Sequence, residues 1–419
     1  MDHAVIEAEL AGLVVGAMPG TRELERECDV FARRYLAEPG VVEPQFDITS
    51  ANFTSDPFLI CADRYWNLRF TAEPTLATAV QCAGWATERI EAAYRQPILE
   101  KWAIGYAFIT RGTVESLTEI ADATADIIAG DDAECSRAYF ATLYHAGKLR
   151  ANLSFDELSL FLGSSPLANA AGRNRDKPLF IALQAFAGFG SRQTTNEHAM
   201  MLFEKSWTAP DRTHASIDIA LHALEAAVPF DEQGTVLRTK AAEAIAEYPD
   251  NALFRFRLGL GAFLCDDHDA ALTSIDDALR LLPATGWRSS HELLSEQFLH
   301  VRRSILLARS DARRAADQQR RLDRYEQAVA ETADLARRSV IRAVELVAVF
   351  AAVIAFAVGS LNVTLNGNLD LASRLWILVV FGGGLLMFVL LVVGGTWLIT
   401  RDSRRSPREQ TRRRHDRGR

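Results

Sequence analysis

Two stretches of the chain are almost free of charge, and most of the rest alternates apolar and polar positions with a helical period. Val344 to Val363 form the first apolar run, with Glu345 near its start, and Leu375 to Thr400 form the second, without a charge. Each reaches the ~20 residues that a helix needs to cross a hydrocarbon core of ~30 Å. Lipid cannot satisfy backbone polar groups, so such runs must be helical if they enter it. The segment between them, NVTLNGNLDLASR over 362–374, is short and polar. The pattern predicts a two-helix transmembrane hairpin over 339–400. Trp376 and Trp397 stand 21 residues apart, about 31 Å along a helix rising 1.5 Å per residue, which would set one indole at each membrane interface. Ala348, Ala352, Ala355 and Gly359 recur at helical spacing in the first run, and Gly382, Gly383 and Gly384 sit in the second. Small residues let membrane helices approach closely, so the two runs are expected to pack through these faces. Glu345 lies one turn from Arg342 and is expected to be an Arg-paired or snorkelling carboxylate at the membrane edge.

Upstream, no Gly or Pro occurs between Gly286 and Gly359. Leu294, Phe298, Val301, Ile305, Ala308 and Ala312 begin an apolar series at spacing 3–4 that continues through Leu322 and Val329 to Ala336. Over 287–338 this predicts a long amphipathic helix, or a helix pair split near Ser310–Asp311. It could serve as a coiled-coil stalk that oligomerises or as a cap on the end of the preceding domain. Further helices are predicted over Thr21–Leu36, Thr75–Arg95, Val114–Ala129, Ala133–Leu149 and Phe155–Phe161, within an N-terminal helical domain over 1–200. Residues 40–72 allow an extended stretch near Phe46–Phe53.

The segment 252–283 reads ALFRFRLGLGAFLCDDHDAALTSIDDALRLLP. It carries a Leu-Gly pair, Leu258 and Gly259, in a first helical stretch. Small residues, Ala271 and Ala278, flank a large apolar one, Ile275, in a second, and Pro283 closes the unit. In this it resembles a tetratricopeptide repeat. The preceding 34 residues match in part, through Leu237, Ala241, Ala244 and Pro249. The resemblance implies repeats over 201–286 in an all-α, α-solenoid cytoplasmic domain that presents a concave surface to a protein partner.

Charge divides the chain in a way the overall −8 conceals. From Arg401 onward nine Arg stand against Asp402, Glu409 and Asp416, a net of +6, so residues 1–400 carry −14. An acidic body argues against nucleic acid as a partner. The tail over 401–419 is too polar to fold alone. Its Arg401, Arg404, Arg405, Arg412, Arg413 and Arg414 are expected at anionic lipid headgroups, each contributing ~1 kcal/mol. Arg337, Arg338 and Arg342 before the first run, and the tail after the second, place both termini in the cytoplasm by the positive-inside rule. The first twenty residues lack a basic segment and carry Glu7 and Glu9, so they do not read as a secretory signal. The expected location is an inner, cytoplasmic membrane. The bias of 41 Arg to five Lys suggests a GC-rich bacterial genome. Five scattered cysteines, without a C-x-x-C, are expected as reduced thiols.

The chain carries no P-loop, G-x-G-x-x-G, G-x-S-x-G or H-E-x-x-H motif. No cofactor or metal is expected, nor is catalysis, although an enzyme within 1–200 is one reading. Asp266, Asp267, His268 and Asp269 read as a solvated turn. His145, His222 and His300 each fall singly on helical patterns. The favoured reading is a membrane-tethered scaffold binding a protein partner. The other is suggested by architecture: a sensor domain followed by two apolar helices is similar to the two-transmembrane effector modules, the SLATT type among them, of bacterial conflict and antiphage systems. That resemblance implies hairpins that oligomerise to permeabilise a membrane.

Overall fold

A computed structural model describes residues 8–13, 21–37, 43–130, 135–282, 288–365 and 370–402. It is all-α, 83% helical, with no strand among the described residues. The chain forms two compact units, Met1–Ser310 and Asp311–Arg419.

The first unit is helix packed on helix. Its helices are α1 (Arg22–Ala37), α2 (Pro57–Ala72), α3 (Leu76–Arg89), α4 (Ala92–Ile109), α5 (Leu117–Ile128), α6 (Cys135–Ala151), α7 (Phe155–Ser164), α8 (Pro166–Ala170), α9 (Pro178–Gly190), α10 (Asn196–Trp207), α11 (His214–Glu225), α12 (Gln233–Glu247), α13 (Ala252–Leu264) and α14 (His268–Leu281). Local chemistry sets many starts. Asp56 caps α2, its carboxylate accepting from the Phe58 and Leu59 amides, with Pro57 at the first helical position. Ser116 and Glu119 form a reciprocal capping box on α5. Asn251 and Asp267 cap α13 and α14, so part of the acidic turn at 266–269 terminates helices.

The expected single helix over Thr75–Arg95 is two helices. Ile90 leaves α3 in extended geometry and forms a parallel bridge with Ile48. The Ile48 amide donates to the Arg89 carbonyl at 2.8 Å, and the Glu91 amide donates to the Ile48 carbonyl at 3.0 Å. Trp85 also donates its indole N–H to the Pro44 carbonyl at 2.6 Å. The extended stretch around Phe46 thus takes backbone bonds from the end of α3, which a continuous helix would have kept for itself.

α6 runs through the middle of the unit, and every residue from Ala138 to Arg150 is buried. A methyl added at Gly147 would lie 2.6 Å from the Ala107 Cβ, so α6 and α4 approach closely there. Lys148 is fully buried, 2.5 Å from Glu115. His145 also meets Glu115, at 3.0 Å, so this histidine is part of a buried network. Glu100 on α4, fully buried, accepts from Tyr139 at 2.9 Å and from the Thr213 hydroxyl at 2.5 Å. Thr213 in turn caps α11. The Glu100 carboxylate therefore ties the start of α11 to α4 and α6 across 113 residues of sequence.

At the C-terminal end of the unit, α13 packs on α12 and α14. Gly259, Ala271 and Ile275 meet: a Cβ on Gly259 would stand 2.8 Å from Ile275 Cδ1 and 3.1 Å from the Ala271 carbonyl oxygen. Ala271, Ile275 and Ala278 are fully buried, and Leu258 packs half-buried on the main core. Pro283 lies outside the described residues.

The last long helices are α15 (Arg288–Leu365) and α16 (Leu371–Asp402). Of the two forms predicted for 287–338, the structure has one helix. Its early residues belong to the first unit, where Phe298 stacks on Phe256 at 4.4 Å and Ile305 is fully buried. From Asp311 to Val340 every residue is exposed on all faces, including Leu322, Tyr325 and Val329. The repeated Ala, Arg and Glu there favour helix without any packing partner.

In the second unit α15 and α16 touch through phenylalanines set on glycines. A Cβ on Gly359 would stand 2.8 Å from Phe381, and one on Gly382 would stand 3.6 Å from Phe356. Ala352 is buried and Ala348 half-buried, while Ala355 is exposed and a Cβ on Gly383 would meet nothing within 4 Å. The bulky rings sit against Gly359 and Gly382, with Ala355 exposed and Gly383 open. Trp376 and Trp397 are exposed. Arg401 falls in the last turn of α16, and Arg404, Arg405, Arg412, Arg413 and Arg414 lie outside the described residues.

Candidate functional site

The first unit contains a groove of about 490 Å³ lined from α2, α4, α6, α11, α13 and the start of α15. That volume lies within the range of small-molecule pockets. Its walls are apolar: Trp102, Ile104, Phe108 and Ile109 from α4, with Leu253 and Leu293 across from them. Its polar groups include a cluster around Arg257, the pair Asp63 and Tyr106, and the side chains of Asn67 and Lys101.

The cluster is built from α11 and α13. Asp218, His222 and Glu225 recur at spacings of four and three, which puts all three on one face of α11. Arg257 enters from α13 and is 3% exposed. Its Nη1 donates to Asp218 Oδ1 at 2.7 Å, and its Nε donates to Glu225 Oε2 at 3.0 Å. Gln297 on α15 donates to the other Glu225 oxygen at 3.2 Å. Arg150, at the end of α6 and 8% exposed, donates from Nη1 to His222 Nδ1 at 2.6 Å. Its Nε is buried without a hydrogen-bond partner. The separate pair is Asp63 and Tyr106, whose phenol donates to the Asp63 carboxylate at 3.1 Å.

The protonation states follow from this geometry. Arginine can only donate, so His222 must present its Nδ1 lone pair and carry its proton on Nε2. Burial and the charges of Arg150 and Arg257 push the His222 pKa down to about 3. The ring is therefore neutral at pH 7. Burial alone would raise the Asp218 pKa, but the charge and hydrogen bond of Arg257 and the charge of Arg150 outweigh it and hold the pKa at about 2. Asp218 is ionised throughout the physiological range. With His222 Nδ1 occupied and both carboxylates held by Arg257, these groups are arranged to bind charge and dipoles rather than to accept a proton.

A pH dependence follows. The unfolded chain binds a proton on His222 below its ordinary pKa of ~6.5, whereas the folded ring resists protonation until about pH 3. Folded stability should thus fall as pH drops from 7 to 5, by about 1–2 kcal/mol from this residue after allowing for its partial exposure. Urea unfolding of the detergent-solubilised protein, followed by tryptophan fluorescence at the two pH values, measures it. His222→Asn keeps an acceptor for Arg150 without a titrating group and should flatten the slope. An unchanged slope would show that His222 contributes nothing to it.

No protein family, curated protein or solved structure matches the chain. Among the described residues no group of three or more His, Cys, Asp or Glu side chains is placed to hold a metal ion.

The residues singled out from sequence lie elsewhere. The repeat-packing positions Gly259, Ala271, Ile275 and Ala278 lie where α13 meets α14, Leu258 packs on the main core, and none of the five lines the groove. His222, read from sequence as solitary, lines the groove. Two signals in the sequence point to the cluster: the run DIALHALE sets three polar groups on one helical face, and Arg257 interrupts the apolar ALFRFRLGLG.

Proposed function

We propose that this protein is a membrane-tethered helical-repeat scaffold. α15 and α16 anchor it in an inner membrane with both termini cytoplasmic, and its helical unit binds a partner through the groove. The supporting observation is that two helices are long and apolar enough to cross a membrane, while their apolar windows are only 6% and 0% buried within the protein. A soluble protein buries such surface; a bilayer would cover it. Trp376 and Trp397, both exposed on α16, suit the two interfaces. The Phe381–Gly359 and Phe356–Gly382 contacts suit packing in lipid, where van der Waals fit replaces the hydrophobic effect. The tetratricopeptide resemblance at 252–283 and the groove both support partner binding by the helical unit.

Inducible expression of the full-length protein in bacteria tests this reading. The protein should stay in the membrane pellet after an alkaline wash, and deletion of 340–402 should release it. Cells should tolerate it, and partner proteins it captures should be lost when Phe108 and Leu293 are both changed to Asp. Recovery of the full-length chain as a monodisperse species without detergent would overturn the tether. Dye entry and growth arrest that need residues 340–402 would overturn the scaffold in favour of a permeabilising effector.

A further inference from the structure

We propose that the groove binds a small organic monoanion: a carboxylate joined to an apolar body. This rests on reading the groove as a binding surface and names its ligand chemistry.

Arg150 carries the argument. Arg257, its neighbour, is bonded to two carboxylates, Asp218 at 2.7 Å and Glu225 at 3.0 Å. Arg150 is bonded only to a neutral imidazole, His222 Nδ1 at 2.6 Å, and its Nε has no partner. A guanidinium has five N–H donors, and this one is more than nine-tenths buried and lines the groove. Leaving a buried donor unpaired is costly, so this guanidinium keeps unused capacity for an acceptor. The strongest acceptor for a guanidinium is an oxyanion.

The surrounding charges decide which oxyanion. Asp218 and Glu225 lie in the same cluster and would repel a phosphate dianion more than a single negative charge. The walls decide the rest of the ligand. Trp102, Ile104, Phe108 and Ile109 on one side, and Leu253 and Leu293 on the other, offer apolar contact beside the Arg150 head-group site. Phe108, Ile109 and Leu293 are themselves exposed large hydrophobic residues, so an apolar ligand body would cover surface that water now meets. A mostly apolar pocket of this size with a few placed polar groups is the usual composition of a small-molecule site, and Lys101, which also lines the groove, adds a second cation for the acid.

The probe is 4-phenylbutyrate, compared with the neutral 4-phenylbutanol and the dianionic phenyl phosphate. Binding to the detergent-solubilised full-length protein is followed by calorimetry and by the fluorescence of Trp102, with Trp102→Phe as the control for that signal. Phenylbutyrate should bind at least tenfold more tightly than the alcohol and than phenyl phosphate. Arg150→Gln should remove the advantage over the alcohol. Because Arg150 is buried and that variant could unfold, Phe108→Ala at the exposed rim provides a second measurement. It should weaken phenylbutyrate several-fold while keeping the preference for acid over alcohol. Equal binding of acid and alcohol, or tighter binding of phenyl phosphate, would overturn the proposal. So would failure of the acid to bind the folded wild type. If the acid fails while Phe108→Asp with Leu293→Asp still abolishes partner capture, the groove reading stands and only the carboxylate is lost; if both fail, the groove is not the binding surface.

Discussion

Arg257→Leu should destabilise the helical unit by about 3–5 kcal/mol, because it removes the one cation hydrogen-bonded to two carboxylates. Asp218 and Glu225 sit 2.7 and 3.0 Å from the guanidinium, and Arg257 is 3% exposed. Without it, both acids face a poorly solvated site with only Arg150 nearby. Protonating them would relieve the cost, but Asp218 has a pKa of about 2 only while Arg257 is present. The expected fall in apparent Tm is roughly 6–20 °C, taking ~2–4 °C per kcal/mol for a domain of this class. Adding Asp218→Asn should restore part of it, since the penalty comes from the uncompensated charge and not from lost packing. Arg257→Lys keeps the charge and loses the fork, so it should fall between. Melting of the solubilised protein by tryptophan fluorescence reads all three. A wild-type Tm for Arg257→Leu would mean that solvent reaches the carboxylates freely.

Gly261→Ala should cost more than Gly259→Ala, although Gly259 is the glycine of the repeat signature. A Cβ at Gly261 would stand 2.5 Å from the Arg238 backbone nitrogen and 2.8 Å from its Cα. Backbone atoms of α12 cannot rotate away, so α12 and α13 must separate. At Gly259 the closest atom is the Ile275 Cδ1 side-chain tip at 2.8 Å, and the nearest backbone atom, the Ala271 carbonyl oxygen, is at 3.1 Å rather than 2.5 Å. Overpacking costs ~1–3 kcal/mol in general, and helix propensity returns up to ~1 kcal/mol for either substitution. We expect Gly261→Ala to lose about 2 kcal/mol net and Gly259→Ala about 1 kcal/mol or less. Gly261→Val should fail to reach the native state at 37 °C. If the two alanine variants melted together, the α12–α13 approach would be looser than described.

Some of this was legible before any coordinates. Apolar runs and the absence of Gly or Pro from 287 to 358 predict long helices, and α15 runs from Arg288 to Leu365. Helix starts were less legible: the helix expected from Val114 begins at Leu117, where Ser116 caps it, because a side-chain acceptor is needed wherever four amides lose their partners. The break at Ile90 was not legible. Nothing near it resembles a helix stop, and it exists because Ile48, 42 residues earlier, takes the backbone bonds. The groove was legible only in fragments. Asp218, His222 and Glu225 share a helical face by spacing alone. Their meeting with Arg150 and Arg257 joins residues 72 and 39 apart in sequence, which no local pattern encodes.

The sequence by itself determined the helical character of the chain, the two apolar runs and the stiff Ala- and Arg-rich stretch before them. These follow from properties each residue carries locally: hydrophobicity, propensity and spacing. Tertiary structure alone decided which charges are buried, and therefore which stay ionised. Arg150 became an underused cation because packing set it against a neutral His222, while Arg257 took both carboxylates. A buried charge is defined by its neighbours in space, and the chain reveals those neighbours only once it has folded.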